Sequence, residues 1–99
     1  MIDERLKQIA DHYGLDEQLN ILQEECAELI QAVSKYKRTG KFGNLDEEIT
    51  DVKILLKQID YLLDQQFPAR SMKSDETYKY WSEKKITRQL ERIENEQRG

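Results

Sequence analysis

The stretch LDEEITDVKILLKQIDYLL, residues 45–63, decides the fold because its apolar side chains recur at helical spacing. At about 3.6 residues per turn, these side chains form one wide stripe along a helix, and another helix must cover that stripe. The stripe consists of Leu45, Ile49, Val52, Leu55, Leu56, Ile59, Leu62 and Leu63. The stretch therefore predicts a helix that packs in a bundle.

Glu48 lies within this stripe, and Asp51 lies one turn further on, at its edge. A carboxylate that faces a core is costly unless a positive charge meets it or it takes up a proton. The neighbouring Glu47 has an ordinary explanation, because Asn44 three residues earlier gives the spacing of a capping box. Glu48 has no such explanation and needs a partner.

The composition favours a small all-α protein. Charged residues make up 36% and hydrophobic residues 37% of the 99 residues, with four glycines and one proline. A sheet protein would carry more turn residues. A chain of this length suits one domain, which we expect to span residues 1–99. It buries only roughly two-thirds of its unfolded surface, so an oligomer that shares a core would gain stability.

Charge and cysteine content argue against several classes of protein. The net charge of −4 does not suit non-specific nucleic-acid binding as the main activity. No apolar run approaches the roughly 18 residues of a membrane span, and the charged N-terminus does not resemble a signal peptide. The lone Cys26 cannot form an internal disulfide, so we expect a reducing, cytoplasmic setting.

Two helices are expected before the central stretch. The first is short and ends near Gly14, and the second covers about residues 16–37. The second helix carries an apolar seam with alternating steps of four and three residues, as in helix packing. The seam consists of Leu15, Leu19, Leu22, Cys26, Leu29, Val33 and Tyr36. We interpret Cys26 as a small core residue of this seam.

The remaining segments are a loop, a break and a fourth helix. Residues 37–43 predict a basic turn that joins the second helix to the third, which Asn44 would cap. Residues 65–74 contain Pro68 and interrupt the helical pattern, and a fourth helix starts at Ser74 or Asp75 and runs to about residue 97. The predicted architecture is a four-helix chain that forms a bundle shared between subunits.

The second helix carries a further pair of acids, Glu25 and Glu28, again three residues apart. Either acid pair alone is more often a solvated surface than a ligand set. Here, both pairs border apolar residues, and a short loop joins their helices, so an antiparallel hairpin would bring them together. Carboxylate oxygens are the ligands of hard divalent cations, and the four acids are candidates for such a site.

The fourth helix shows two faces. A thin apolar stripe contains Ile86, Leu90 and Ile93. The opposite row consists of Tyr78, Trp81, Lys85, Arg88 and Arg92. Aromatic and basic side chains in one row suit a phosphate with its base alongside. A salt-bridged, solvated surface is the alternative, and for Arg92 we favour it.

The segments EECAELIQA (residues 24–32) and LDEEITDVKILL (residues 45–56) carry a family resemblance. With their ExxE and ExxD acids, they resemble the MazG-like branch of the all-α nucleoside triphosphate pyrophosphohydrolases. The flanking segments HYGLDEQLNIL (residues 12–22) and EKKITRQLERI (residues 83–93) are also similar to the family. The resemblance covers most of the chain, from about residue 2 to residue 93.

This resemblance implies an activity, a cofactor and an assembly. Its four matching acids, which would bind Mg²⁺ or Mn²⁺ and carry catalysis, are Glu25, Glu28, Glu48 and Asp51. The substrate would be a ribo- or deoxynucleoside triphosphate, cleaved between the α and β phosphates to the monophosphate and pyrophosphate. We assign Lys85 and Arg88 as phosphate contacts and Trp81 as a base or ribose contact. The family also implies a homodimer or tetramer.

Other functions stay open. The related phosphoribosyl-ATP pyrophosphatases usually carry a histidine one turn after the motif's aspartate, where this chain has Leu55. A catalytically silent helical interaction module and a metal-stabilised scaffold are further alternatives. The sequence does not identify which acid is the general base.

Overall fold

The structure, a computed structural model, describes residues 2–71 and 74–99, and all regular secondary structure within these residues is α-helical. The helices are α1 (Glu4–Thr39), α2 (Gly43–Gln66), α3 (Pro68–Ser71) and α4 (Ser74–Arg98). The predicted all-α class is thus confirmed. Residues 72 and 73, in the predicted break, lie outside the described residues. The chain divides into two compact units, Met1–Gln66 and Phe67–Gly99.

Helix α1 bends at Gly14, where the sequence predicts the end of the first helix. Gly14 has φ 81° and ψ 169°, a combination that only glycine adopts readily. No described atom lies within 4 Å of the position that a Cβ would take. The backbone conformation, rather than crowding, therefore makes glycine the suitable residue here.

Helices α1 and α2 form a hairpin with a connection shorter than the predicted loop over residues 37–43. Gly40 ends α1 with φ 71°, and its N–H donates to the Tyr36 carbonyl at 2.8 Å. Such a left-handed cap stops a helix without steric cost. Helix α2 already begins at Gly43, so Asn44 lies within its first turn. The prediction that Asn44 caps this helix is therefore wrong. Lys37 and Arg38 lie in the last turn of α1, where positive charge complements the helix dipole.

The hairpin packs through the apolar stripe of α2. Leu55 and Ile59 are buried, and the stripe as predicted is covered except for Leu56, which is 45% exposed. On α1, the fully buried Ala10 and Ala32 allow close approach of the helices. Away from this core, the Tyr61 hydroxyl donates to the Asp11 carboxylate at 2.8 Å and links the two helices.

The face of α1 that packs on α2 differs from the predicted seam. The buried or half-buried residues of this face are Gln18, Ile21, Leu22, Glu25, Leu29 and Ala32. With 100° of rotation per residue, the centre of this face lies about 90° from Cys26. Within the single chain, Leu19, Cys26 and Val33 are exposed. Helix α2 packs on the side of the seam that carries Leu22 and Leu29 and leaves Cys26 exposed. The interpretation of Cys26 as a core residue is therefore wrong for the single chain.

The second unit is built around α4, whose limits agree with the prediction. Ile86, Leu90 and Ile93 are each about half exposed within this unit, so its apolar stripe is uncovered. The rings of Tyr80 and Trp81 pack edge to face, with centroids 5.2 Å apart. Across the described segments of both units, no helix combines the length and apolar character needed to cross a membrane.

Candidate functional site

Three of the four predicted acids come together between α1 and α2. Glu25 extends from α1, while Glu48 and Asp51 lie one turn apart on α2. One carboxylate oxygen from each of the three lies within 4.8 Å of the others. The i, i+3 spacing on α2 and the hairpin packing thus produce an acidic cluster, which we define as Glu25, Glu48 and Asp51.

Two oxygens of the acidic cluster are shielded from water. The Oε2 atoms of Glu25 and Glu48 are buried, and within the described chain neither has a hydrogen-bond partner. A buried acceptor without a donor is unfavourable, and more so when it carries charge. Binding of a proton or a cation would therefore stabilise these two oxygens.

The pKa values of these carboxyls agree with this geometry. Burial raises the pKa of Glu48, and the negative charges of Glu28 and Asp51 raise it further. Burial also raises the pKa of Glu25, with the charges of Glu28 and Asp51 again adding to the effect. The cluster thus concentrates negative charge that a cation would relieve.

Glu28, the fourth predicted ligand, lies beside the acidic cluster and not within it. Its side chain is exposed, yet its charge acts on both Glu25 and Glu48. It shares a groove of about 490 Å³ with Glu48. Among the described acids, Glu28 is thus placed to reach a bound ion from the solvent side or through water.

The dimensions of the acidic cluster suit a hard divalent cation. Two oxygens bound to Mg²⁺ at 2.0–2.1 Å are at most about 4.2 Å apart, and for Ca²⁺ the limit is about 5 Å. Adjacent oxygens on one octahedral Mg²⁺ are about 2.9 Å apart, so from their 4.8 Å span the side chains must each move by about an ångström to bind one ion. Three carboxylates would leave coordination positions for water and phosphate, as Mg²⁺ prefers. The residues present therefore fit Mg²⁺ or Mn²⁺.

Basic residues also line the groove that Glu28 and Glu48 share. We call this groove the basic groove. Its lining consists of Glu28, Gln31, Lys35, Arg38, Asn44 and Glu48. Lys35 was not predicted as a functional residue, although it stands two turns after Glu28 on the same face of α1. Arg38 belongs to the predicted basic segment, residues 37–43. Cations beside the acids suit phosphate oxygens.

A second groove, of about 390 Å³, adjoins the acidic cluster and is mainly apolar. We call it the amide groove, and its lining consists of Ile9, Tyr13, Gln18, Ile21, Glu25, Asp51, Ile54, Leu55 and Gln58. Gln18 and Gln58 are only 2% and 4% exposed. Neither residue is predicted from the sequence as part of a site. The sequence pattern that could have identified them is a glutamine that falls on an apolar helix face, as Gln58 does between Leu55 and Ile59.

The predicted nucleotide contacts on α4 belong to the second unit. Trp81, Lys85 and Arg88 follow one another at steps of four and three residues and are all exposed. Their assignment to phosphate and base stays a prediction.

The sequence matches no protein-family model, and no curated protein or solved structure is significantly similar to it. The resemblance to the MazG-like enzymes therefore rests on the acid motif and its flanking segments.

Proposed function

We propose that this protein is a MazG-like, Mg²⁺-dependent nucleoside triphosphate pyrophosphohydrolase. The observation that supports this most is the acidic cluster, in which Glu25 meets Glu48 and Asp51 across the hairpin. Two of its carboxylates each keep one buried oxygen without a donor among the described residues. An ordinary solvated surface would not bury such oxygens, whereas a cation site uses them.

The acids have separate roles in this proposal. Glu25, Glu48 and Asp51 hold Mg²⁺, and Glu28 completes the site directly or through water. The bound cation supplies positive charge that polarises the phosphate group under attack. The basic groove, with Lys35 and Arg38, accepts the phosphate oxygens that lie beyond the acids.

The proposed reaction consumes one water. Its oxygen forms a bond to the α-phosphorus, and the bond from that phosphorus to the oxygen bridging to the β-phosphorus breaks. Pyrophosphate leaves with the bonding electron pair, and a carboxylate accepts the proton released by the water. The general base is left unassigned among the four acids.

We further propose a homodimer or a tetramer in a reducing cytoplasm. The seam on α1 remains exposed in the single chain at Leu19, Val33 and Tyr36, and Leu56 on α2 is exposed as well. Apolar side chains at helix-packing spacing favour a second copy as their cover. The amino-acid sequence holds one cysteine, so an internal disulfide cannot form.

The competing proposals are a silent interaction module and a scaffold that metal merely stabilises. Pyrophosphate release from a panel of nucleoside triphosphates, measured with Mg²⁺ for the wild type and for Glu48→Gln, separates them from an enzyme. Turnover that the substitution abolishes supports the enzyme, whereas metal-dependent stabilisation without any turnover supports the scaffold.

A further inference from the structure

The amide of Gln18 has a polar atom that the protein itself does not satisfy. The side chain is 2% exposed, and its Oε1 accepts no hydrogen bond from the described chain. Buried carbonyl oxygens nearly always have a partner, so an exception indicates an ordered water or a ligand. A neutral amide takes up no proton, and seven residues along α1, about 10 Å, separate Gln18 from Glu25, so an ion bound by the acids does not reach it.

Gln18 lines the amide groove at a defined distance from the acidic cluster. It precedes Glu25 by seven residues on α1, and Gln58 follows Asp51 by seven residues on α2. Because the helices of a hairpin run in opposite directions, both steps lead the same way along the groove. At 1.5 Å per residue, each step is about 10 Å. The two amides therefore lie at one level, two helical turns from the acids.

The remaining walls of the amide groove suit a flat, mainly apolar group. Tyr13, just before the bend at Gly14, brings an aromatic ring that is 53% exposed. Ile9 and Ile54 are each 41% exposed at the same groove. An accessible aromatic face stacks readily on a heterocyclic base. The volume of about 390 Å³ lies within the usual range of small-molecule sites.

We propose that the amide groove binds the nucleobase of the substrate and that Gln18 Oε1 accepts a hydrogen bond from an N–H group on the base edge. This inference rests on the proposed function, since it requires the phosphates to lie at the acidic cluster. Two helical turns match the reach of a nucleotide from its α-phosphate to its base. Gln58, at the same level, provides a second amide for that edge, and amides pair with bases through donor and acceptor together.

The test is a binding measurement that needs no turnover. Nucleoside 5′-monophosphates of each base, which the proposed reaction does not cleave, are titrated with Mg²⁺ into isotope-labelled protein, and the side-chain amide signals of Gln18 and Gln58 are followed by NMR. The base that binds best is then compared with an analogue in which the edge N–H is removed or methylated. Gln18→Met, which keeps the length but loses the amide, assigns the Gln18 signal. Gln23→Met, at an exposed glutamine of the same helix, is the matched control.

We expect the Gln18 signal to shift and the analogue to bind roughly tenfold more weakly than the natural base. In Gln18→Met this preference should disappear, while Gln23→Met should retain it. If no nucleotide shifts the Gln18 signal, a water satisfies Oε1 and the inference is wrong. An unchanged preference in Gln18→Met would also overturn it.

The same samples separate this inference from the proposed function. Pyrophosphate release by the wild type, with an unchanged ranking of bases in Gln18→Met, would overturn the base assignment and leave the reaction standing. A shifted Gln18 signal without pyrophosphate release from any triphosphate would support the amide groove and overturn the reaction.

Discussion

Glu25 on α1 and Glu48 on α2 face each other across the hairpin, with carboxylate oxygens within 4.8 Å. Each also keeps one buried oxygen that has no hydrogen-bond partner in the described chain. Two carboxylates in this arrangement repel each other, and burial makes their charge more costly. The pair is therefore unfavourable for stability in the metal-free protein and favourable for cation binding.

Replacing Glu48 tests this relationship. We expect Glu48→Gln to abolish turnover while the metal-free variant melts at the same temperature as the wild type or higher, because a repulsive buried charge is lost. Addition of Mg²⁺ or Mn²⁺ should raise the melting temperature of the wild type by mass action and that of Glu48→Gln much less. Glu47→Gln, at the exposed neighbouring position, is the control and should behave as wild type. A large loss of metal-free stability in Glu48→Gln would show that Glu48 is structural.

The raised pKa of Glu48 predicts a pH dependence. Its pKa lies above the ordinary value of 4.5 in the folded protein, because burial and neighbouring acids oppose its charge. Between these two pKa values the native state binds more protons than the unfolded state, so the free energy of unfolding falls as pH rises. The penalty is absent below 4.5 and complete above the raised pKa.

We therefore expect metal-free wild type to lose stability relative to Glu48→Gln as pH rises through this window, with a constant difference above it. Urea denaturation at a series of pH values, with a chelator present, measures both proteins. Profiles that stay parallel across the window would contradict the assigned pKa shift.

How far the sequence predicts this fold depends on what covers each apolar face. The predicted apolar stripe of α2 is confirmed by the burial of Leu55 and Ile59. A stripe this wide must be covered, and the adjacent helix of the hairpin covers it. The seam at Cys26 and Val33 is equally periodic but exposed in the single chain. Periodicity identifies an apolar face without showing whether the same chain or another one covers it.

The acidic cluster was easier to predict than the amide groove. Glu48 is recognisable from the sequence because a charged residue inside an apolar stripe is unusual. Its proximity to Asp51, three residues later, follows from helix geometry. Gln18 and Gln58 carry no charge, and glutamine is usually found on helix surfaces. Both are buried where α1 packs on α2, and only the folded hairpin provides that register.

The exposed seam predicts self-association. We expect a homodimer or tetramer at micromolar concentration, measured by light scattering. Val33→Glu should shift the protein towards monomers, because it places a charge in the apolar seam. Gln23→Glu, also exposed on α1, adds the same charge outside the seam and serves as the control. A wild-type protein that remains monomeric would contradict this prediction.

We assign two sets of basic residues to the phosphates of the substrate, one on α4 and one in the basic groove. Lys85→Ala and Arg88→Ala on α4 should each lower kcat/KM about ten- to a hundredfold, as expected for a lost charge-assisted phosphate contact. Mg²⁺ binding without nucleotide should survive, and the fluorescence of Trp81 should respond to nucleotide much more than to metal alone. Arg92→Ala is the matched control on the same helix. If Lys85 and Arg88 are dispensable while Lys35→Ala and Arg38→Ala are impaired, the basic groove holds the phosphates without α4.

The central claim is that the acidic cluster supports cleavage of a nucleoside triphosphate between its α and β phosphates. The most direct measurement is pyrophosphate release from ribo- and deoxynucleoside triphosphates with Mg²⁺, with and without a chelator, alongside Glu48→Gln. We predict stoichiometric monophosphate and pyrophosphate from at least one nucleotide, with loss of both products in the chelated sample and in Glu48→Gln. Release of inorganic phosphate in place of pyrophosphate, or no product from any nucleotide, would contradict the account.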